Sequence, residues 1–576
     1  MPRRLTVLVF AIAIVALCAR LGTLPLLKPD EGRNAEVARE MRASGAWVVP
    51  TYDGLPYLDK PAAYFRLVAL SMSALGVNAT AARLPSALFA LGLLGLVYGF
   101  SRRAWGPRAA ALAVLVVATT PLVVAFARLV IFDMVLAFFV TAAILAADRA
   151  EASEAGGARR GWYLVASAAA GAGVLVKGPV GLLIPLLVLV VLHLVERRRD
   201  ALRRVFAPLN ILVFLAVALP WFVALSLRRP DFPYYGLVEE SLRRFTTPAF
   251  HRTAPFWYYG PVIVAVFFPW SLLLPEAVVR AWRARRRWTH AERLLIVWAL
   301  VVTVFFSLSQ SKLPGYVLTG VVALGMLTAR VLDLALETPA GAARRLVLRG
   351  TTVLAVAAAA VAVALELALA QPGGLAAALS RLGGGGGGDV ARIGAAGPPL
   401  LVLFAIVAVV AAAGRLLRDP RFATAAFAVP PLLLLTVAFG GMRAYADAGS
   451  GLALARRIPA LPPGTELACI ECLPNGVPFY LRRTITLVTA DGHETTSNYI
   501  AFALRRSPVW PPGVVRRTDL ATWLARRAHP VYVLAGGAGH AALDSLAARA
   551  AGATAPAALA PGWWGALFPA PAARGT

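Results

Sequence analysis

Charge is scarce in this chain. Only 15% of its 576 residues are Asp, Glu, Lys or Arg, where soluble domains carry about a quarter. Acid is scarcer still: 29 carboxylates stand against 57 Lys and Arg, a formal net charge of +28. Cysteine is nearly missing. Cys18 sits in an apolar run and Cys469 and Cys472 lie near the C-terminus, too few for a disulfide scaffold. What fills the chain is apolar: 59% of residues are hydrophobic. A single core in water rarely grows past about 250–300 residues, but lipid removes that limit. The positive excess would suit nucleic acid, yet the arginines crowd short loops between apolar runs. That is the distribution positive-inside topology requires, and it argues against nucleic acid as a partner.

A membrane helix needs roughly 20 mainly apolar residues, and about thirteen runs qualify. They are 5–24, 81–101, 108–127, 129–147, 161–176, 178–195, 206–227, 257–275, 291–308, 313–332, 347–370, 398–415 and 423–440. Met1 to Arg20 has the basic start of a signal peptide, but no small-residue cleavage site ends it, so it reads as a retained first helix. Arginines mark every even-numbered exit: Arg102 and Arg103, Arg159 and Arg160, Arg197 to Arg199, Arg285 to Arg287, Arg344 and Arg345, Arg415 and Arg418. The alternation predicts a cytoplasmic N-terminus and an outward C-terminus.

The expected fold is therefore a polytopic α-helical membrane protein of about thirteen transmembrane helices, sited in a bacterial inner membrane. Residues 1–440 would be the membrane part, with outer loops 25–80 and 228–256. Residues 441–576 would be a periplasmic α/β domain, with strand-like runs Thr484 to Val488 and Val531 to Leu534 between helical runs Tyr499 to Leu504 and Leu520 to Ala525. The segment 371–397, with Gly383 to Gly388, reads as a flexible linker. Cys469 and Cys472 could join locally in that compartment.

Ionisable groups near membrane depth are costly and mark function. Here they share one side. Asp30, Glu31, Arg33, Asp59 and Lys60 fall in the first outer loop, and Arg128 and Asp133 at the outer start of the fourth span. Lys177 lies in the turn between spans five and six. Glu239, Glu240, Arg243, Arg244, His251 and Arg252 occupy the second outer loop, and Lys312 and Tyr316 open the tenth span. Each has a plain structural account. Asp30-Glu31 alone is a weak motif in a solvated loop. Asp133 would close a salt bridge with Arg128, and Lys177 and Lys60 would snorkel to headgroups. His251 would be a hydrogen-bonded loop histidine, and Phe256-Trp257-Tyr258-Tyr259 an interface belt. Residues 35–45 would form a helix on the membrane surface. No G-x-G-x-x-G or P-loop stands on the cytoplasmic side. A phosphate at the outer face would find cations in Lys60, Lys177 and the arginines, and a carboxylate such as Asp30 can deprotonate or orient a hydroxyl.

Several motifs resemble one family. Asp30-Glu31-Gly32-Arg33-Asn34-Ala35-Glu36, Gly45-Ala46-Trp47-Val48-Val49-Pro50 and Gly54 to Pro61 are similar to the first outer loop of the aminoarabinose–lipid A transferases and of the wider protein O-mannosyltransferase-like group. Arg83-Leu84-Pro85, Arg128 to Asp133, Arg244-Phe245 with Pro255 to Tyr259, and Phe305 to Tyr316 continue the resemblance to about residue 335. It implies a GT-C membrane glycosyltransferase using a polyprenyl-phosphate sugar donor and a lipid or glycolipid acceptor such as lipid A. Asp30 would be the principal acidic residue, beside Glu31, and Asp133 its partner. Lys60, Arg33, Lys177, Tyr316 and Arg128 would hold the donor phosphate. Asp59 and His251 would take a divalent metal, zinc or magnesium. The chain departs from the pattern at Asp59, where the family often has Glu, and at Gly32, Asn34 and Arg66. The rival readings are a protein O-mannosyltransferase-like enzyme, a lipid transporter or flippase, and an assembly protein. A transporter would place charge at the midplane and repeat itself, and neither pattern is seen.

Overall fold

The computed structural model describes residues 2–248, 252–338, 341–371, 397–437, 439–474 and 476–570. His251 and the glycine-rich linker lie outside the described residues. A helix or a bent helix pair stands at each of the thirteen apolar runs. Among the described residues, seven helices are long and apolar enough to cross a membrane, or nine if each bent pair is one span. The chain is thus a polytopic helical membrane protein, with thirteen crossings more than length and composition alone establish.

The two bends have local causes. The run 108–127 splits into Pro107–Ala118 and Pro121–Ala127, turned by 68°. Thr119 and Thr120 sit at the break, and their hydroxyls bond back to the Leu115 and Val116 carbonyls, which bends helices. Pro121 then restarts the helix at a position that needs no N–H. The Trp270 indole N–H donates to Thr119 Oγ1 at 3.1 Å, so the break is filled. The run 257–275 becomes Phe256–Val266 and Trp270–Arg283, turned by 111° around Phe267 to Pro269.

Two compact units result. The first holds residues 1–21, 83–223 and 241–445; the second holds 22–82, 224–240 and 446–576. The units do not follow a division at residue 440, because the outer-loop segments group with the C-terminal part of the chain. Within the first unit many of the loop arginines are paired. Arg204 grips Glu151 with two bonds of 2.8 Å, and His290 stands between Asp148 and Glu196 at 3.0 and 2.9 Å.

In the second unit the strands are β1 (Thr51–Tyr52), β2 (Leu55–Pro56), β3 (Glu466–Ile470), β4 (Thr486–Thr489), β5 (Val514–Arg516), β6 (Val531–Gly536), β7 (Ala557–Ala560) and β8 (Trp563–Phe568). The last six form one sheet in the order β5-β4-β3-β6-β8-β7, parallel from β5 to β6 and antiparallel beyond. Its strands read as apolar runs because both faces are covered: Ala468, Ile470, Val488, Val533 and Leu543 share one core. Cys469 and Cys472 are disulfide-bonded, spanning the end of β3. Asp53 and Gly54 both have positive φ, 54° and 75°, which the two-residue turn between β1 and β2 demands.

The helix Asp30–Ser44 corrects the surface-helix expectation. Ten of its fifteen residues are buried in protein, Val37, Ala38 and Met41 among them. Its inward face is also polar. Glu40 accepts from Thr51 Oγ1 at 2.5 Å and from the Gly54 N–H, and Asp53 accepts from the Ile485 N–H at 2.7 Å. A lipid surface offers no such partners.

In the first unit the helices Gly157–Lys177 and Val180–Val195 cross where Gly173 meets Gly181. A Cβ on Gly181 would lie 2.2 Å from the Gly173 carbonyl carbon. Backbone cannot move aside cheaply there, so Gly181→Ala is expected to destabilise the protein by about 1–3 kcal/mol or more. Gly161→Ala, in open space on the same hairpin, is expected to be neutral or slightly stabilising. Scanning fluorimetry of both variants in detergent checks this; equal melting temperatures would refute the crossing.

Candidate active site

In the first unit, Asp133 begins the helix Asp133–Glu151 and Lys177 ends Gly157–Lys177. Gly178 at φ +87° turns the chain there, so the lysine stands at a helix end. Its ammonium reaches Asp133 Oδ1 at 2.5 Å, with the two side chains 14% and 8% exposed. It also lies 5.0 Å from the Tyr316 ring centre and 5.6 Å from that of Phe132, distances at which a cation is held by the ring face. Arg244 donates to the Tyr316 hydroxyl at 3.4 Å. Asp133, Lys177, Tyr316 and Arg244 are thus one cluster, assembled from four separated stretches of sequence.

The motif before Tyr316 makes that cluster rigid. The Lys312 N–H donates to the Arg252 carbonyl and the Gln310 N–H to the Phe245 carbonyl, and the Lys312 ammonium bonds the Ser309 carbonyl at 2.5 Å. The Tyr259 hydroxyl donates to the Leu313 carbonyl at 3.2 Å. Gly315 is required because a Cβ there would meet the Phe126 ring at 2.5 Å. Arg128 does not join the cluster, and the expected Asp133–Arg128 bridge is corrected. Its guanidinium donates to the Ala16 carbonyl at 2.9 Å, where the helix Pro2–Cys18 runs out of internal donors.

In the second unit, Asp30 opens its helix with the side chain 47% exposed, and Arg33 donates to Asp30 Oδ1 at 2.5 Å. Arg33 itself is buried. Its other branch donates to the Thr496 hydroxyl and carbonyl at 2.7 and 3.0 Å, and it lies over the Tyr57 ring. Burial works against its charge, but Tyr57, Asp30 and Asp59 outweigh that and raise its pKa above the ordinary value. Asp30 is thus an accessible carboxylate aimed by a fixed cation. Glu31 points the other way. It is 2% exposed and accepts the Leu27 N–H at 2.8 Å, so the geometry supports a helix-end role for it in place of a catalytic one.

Asp59 and Lys60 part similarly. Asp59 Oδ1 accepts from the Tyr235 hydroxyl at 2.6 Å and the Tyr499 N–H at 2.7 Å, and Oδ2 from the Asn498 N–H at 3.1 Å. Those N–H groups open the helix Asn498–Arg506, where a carboxylate is favoured by the helix dipole. Burial and then the Asp59 charge push the Tyr235 phenol well above its usual pKa, which keeps it a donor. Donors therefore occupy both Asp59 oxygens, where a metal would bind. Among the described residues no three His, Cys, Asp or Glu side chains group as metal ligands. The residues present do not fit a metal at Asp59. Lys60 donates to the Asp59 carbonyl at 2.7 Å and pairs with Glu240. The sequence reading passed over Glu240, Tyr235, Tyr499 and Thr496 as partners; only the Asp53-Gly54 turn signal hinted that this loop folds back on itself.

This geometry meets known proteins at several points. Residues 6–235 match the family model for dolichyl-phosphate-mannose-protein mannosyltransferase. The undecaprenyl phosphate-alpha-4-amino-4-deoxy-L-arabinose arabinosyl transferase of Edwardsiella ictaluri is 34% identical over 56% of this chain and 58% of its own length. That of Aeromonas hydrophila is 35% identical over 53% and 56%. The chain thus spans a little over half the length of these curated relatives. The crystal structure of ArnT from Cupriavidus metallidurans bound to undecaprenyl phosphate superposes with a TM-score of 0.81 at 29% identity, covering 97% of each chain. The fold is that of a polytopic helical membrane protein, and the proteins it resembles are membrane glycosyltransferases. Within that likeness, the chain is similar to the aminoarabinose–lipid A transferases over the shares just given.

Two outcomes follow from the second unit. Asp59→Asn turns an N–H₂ toward donors that have lost their acceptor, at a cost of about 1–3 kcal/mol; it is expected to lower the melting temperature with or without added divalent metal or chelator. A metal-dependent difference between parent and variant would contradict the hydrogen-bond account. Burial also pushes the Glu36 carboxyl up to about 7, against the pull of its Arg39 partner, and lifts Asp53 well above the carboxylate range despite the Ile485 N–H. A raised carboxyl binds more protons folded than unfolded, so its contribution is full below about pH 4.5 and is lost as pH rises through about 7. Thermal stability should fall across that window by about 1–3 kcal/mol, and Glu36→Gln should flatten the profile.

Proposed function

We propose that this protein transfers a sugar, 4-amino-4-deoxy-L-arabinose by its relatives' names, from an undecaprenyl-phosphate carrier to a lipid acceptor of the lipid A kind. The carrying observation is the ammonium of Lys177, enclosed at a helix end between Asp133 and the rings of Tyr316 and Phe132. A buried cation held beside aromatic rings and an arginine is preorganised for a phosphate that gains charge as it departs. In the reaction the bond from sugar C1 to the phosphate oxygen breaks and its electron pair stays on the phosphate, which Lys177 and Arg244 neutralise. The acceptor oxygen forms the new bond to C1. A hydroxyl acceptor loses its proton to Asp30, whose carboxylate is accessible and aimed by Arg33; a phosphate acceptor needs no base, and Asp30 then orients it. A protein hydroxyl is the second reading of the acceptor, favoured by the mannosyltransferase match.

Within the second unit, Lys60 would offer its ammonium to a phosphate on leaving Glu240. Lys60→Ala is expected to cut transfer by about ten- to a hundredfold, the worth of a charge-assisted bond, while Glu240→Gln retains or raises activity. Equal loss in both, matched by equal loss of stability, would make the pair a mere strut.

Asp30→Asn and Asp133→Asn are each expected to abolish transfer from a synthetic undecaprenyl-phosphate sugar to envelope lipid. They should differ in stability. Asp133→Asn strands a buried ammonium, which costs about 3–5 kcal/mol, and adding Lys177→Met should recover stability without activity. Asp30→Asn keeps an oxygen for Arg33, whose other branch stays on Thr496, so it should lose less stability than Asp133→Asn; retained transfer in it would remove the proposed base. We further propose thirteen crossings with a cytoplasmic N-terminus and a periplasmic C-terminus, supported by the arginine alternation. A phosphatase fusion at Thr576 should be active, and an inactive one would reverse the orientation.

A further inference from the structure

Outside these clusters, the second unit carries a cleft of about 460 Å³ beside the helix Asn498–Arg506, lined by Arg505, Arg506, Arg516, Trp510, Asp491 and Ser507 among others. That volume is in the range of small-molecule sites. The three arginines are exposed, and among the described residues none is paired with a carboxylate. Arg505 bonds only the Ala501 carbonyl of its own helix, at 3.2 Å. Arg516 bonds the Pro508 carbonyl at 3.1 Å and lies 4.6 Å from the Trp510 ring centre. Arg506 lies over Phe502 and Tyr234, at 5.3 and 5.8 Å. The next arginine along, Arg517, is spent on Glu471 at 2.6 Å, so pairing is available in this region and these three do without it.

The rings matter because they order the guanidinium groups before any ligand arrives. Trp510 is itself tied, its indole N–H donating to the Leu504 carbonyl at 3.1 Å. A guanidinium held at a ring face still has N–H groups to offer, and they match the oxygens of a phosphate. Less side-chain freedom is then lost on binding. The remaining walls offer the Ser507 hydroxyl and the Asp491 carboxylate, suited to sugar hydroxyls. We propose that this cleft is a binding subsite for a phosphorylated saccharide, with Arg505, Arg506 and Arg516 on the phosphate. It goes beyond the transfer reaction, and its test uses no turnover, so it stands or falls apart from the transferase reading.

The test measures binding to the full-length protein in detergent by thermophoresis. One arm uses glucosamine 1-phosphate in solution and the other diphosphorylated lipid A in mixed micelles. The triple variant R505Q/R506Q/R516Q is expected to bind at least one probe tenfold or more weakly than the parent, at an unchanged melting temperature. R456Q/R526Q/R549Q, which removes as much charge from exposed arginines elsewhere in the second unit, should bind as the parent does. Should the triple variant fold poorly, Arg516→Lys, which keeps charge but loses fork and stacking, should still weaken binding about threefold. Loss in both arms assigns the subsite to the phosphosaccharide whatever its carrier; loss in the lipid A arm alone assigns it to a lipid-borne headgroup. Parent-like binding of both probes by R505Q/R506Q/R516Q overturns the proposal. So does equal loss in the control triple, or unphosphorylated glucosamine binding the parent as well as its phosphate.

Discussion

Removing a carboxylate from water is expensive unless donors replace the water, and Asp59 gains three of them from two distant parts of the chain. Its own loop brings the charge. The segment after residue 224 brings the Tyr235 hydroxyl, and the helix Asn498–Arg506 brings two N–H groups from its first turn. The arrangement holds only if all three arrive together. Much of the second unit follows from it. Tyr499, placed by its N–H on Asp59, turns its hydroxyl to Asp231 and Arg229 at 2.5 Å each. Asn498 reaches toward Glu240, and Thr496, just before this helix, receives Arg33.

That chain of bonds ends on Asp30, whose side chain stays half exposed. Asp30 and Glu31 are neighbours on one helix, and successive helical positions face different ways. Glu31 turns into the fold and is spent on the Leu27 N–H; Asp30 turns out, held by a buried arginine whose other branch is anchored elsewhere. The arrangement separates the exposed carboxylate from the groups that hold it. The buried helix around it, with Glu36 on Arg39 and Glu40 on the Thr51 turn, supplies the stiffness such a site needs.

The first unit solves a different problem, that of placing a lysine among apolar helices. Lys177 is accommodated because Asp133 neutralises it, aromatic faces surround it and Gly178 ends the helix beneath it. The contact of Gly173 with Gly181 sets the hairpin that carries this lysine, and the bonds of residues 309–316 set the tyrosine opposite. A cation so enclosed is held in place before any ligand meets it, and a preorganised charge loses little on reorganisation.

Hydrophobic runs of about 20 residues and arginines at alternate exits were legible from the chain alone, because lipid leaves the backbone little choice but helix. Strand-like runs near Thr484 to Val488 and Val531 to Leu534 were legible too, and strands stand there. So were the acidic and basic residues of the outer loops, since charge at membrane depth needs a reason. Which of them serve chemistry was not legible. Asp133 lies five residues from Arg128 but pairs with Lys177, forty-four residues away, and Arg128 instead closes a helix end. Asp59 resembled a metal ligand, and the donors that occupy it come from residues 235, 498 and 499. Sequence specifies the groups that must be satisfied, because that is a property of each side chain; partners some forty to several hundred residues apart become neighbours only when packing brings their elements together, and that decides which carboxylate is spent and which is left to act.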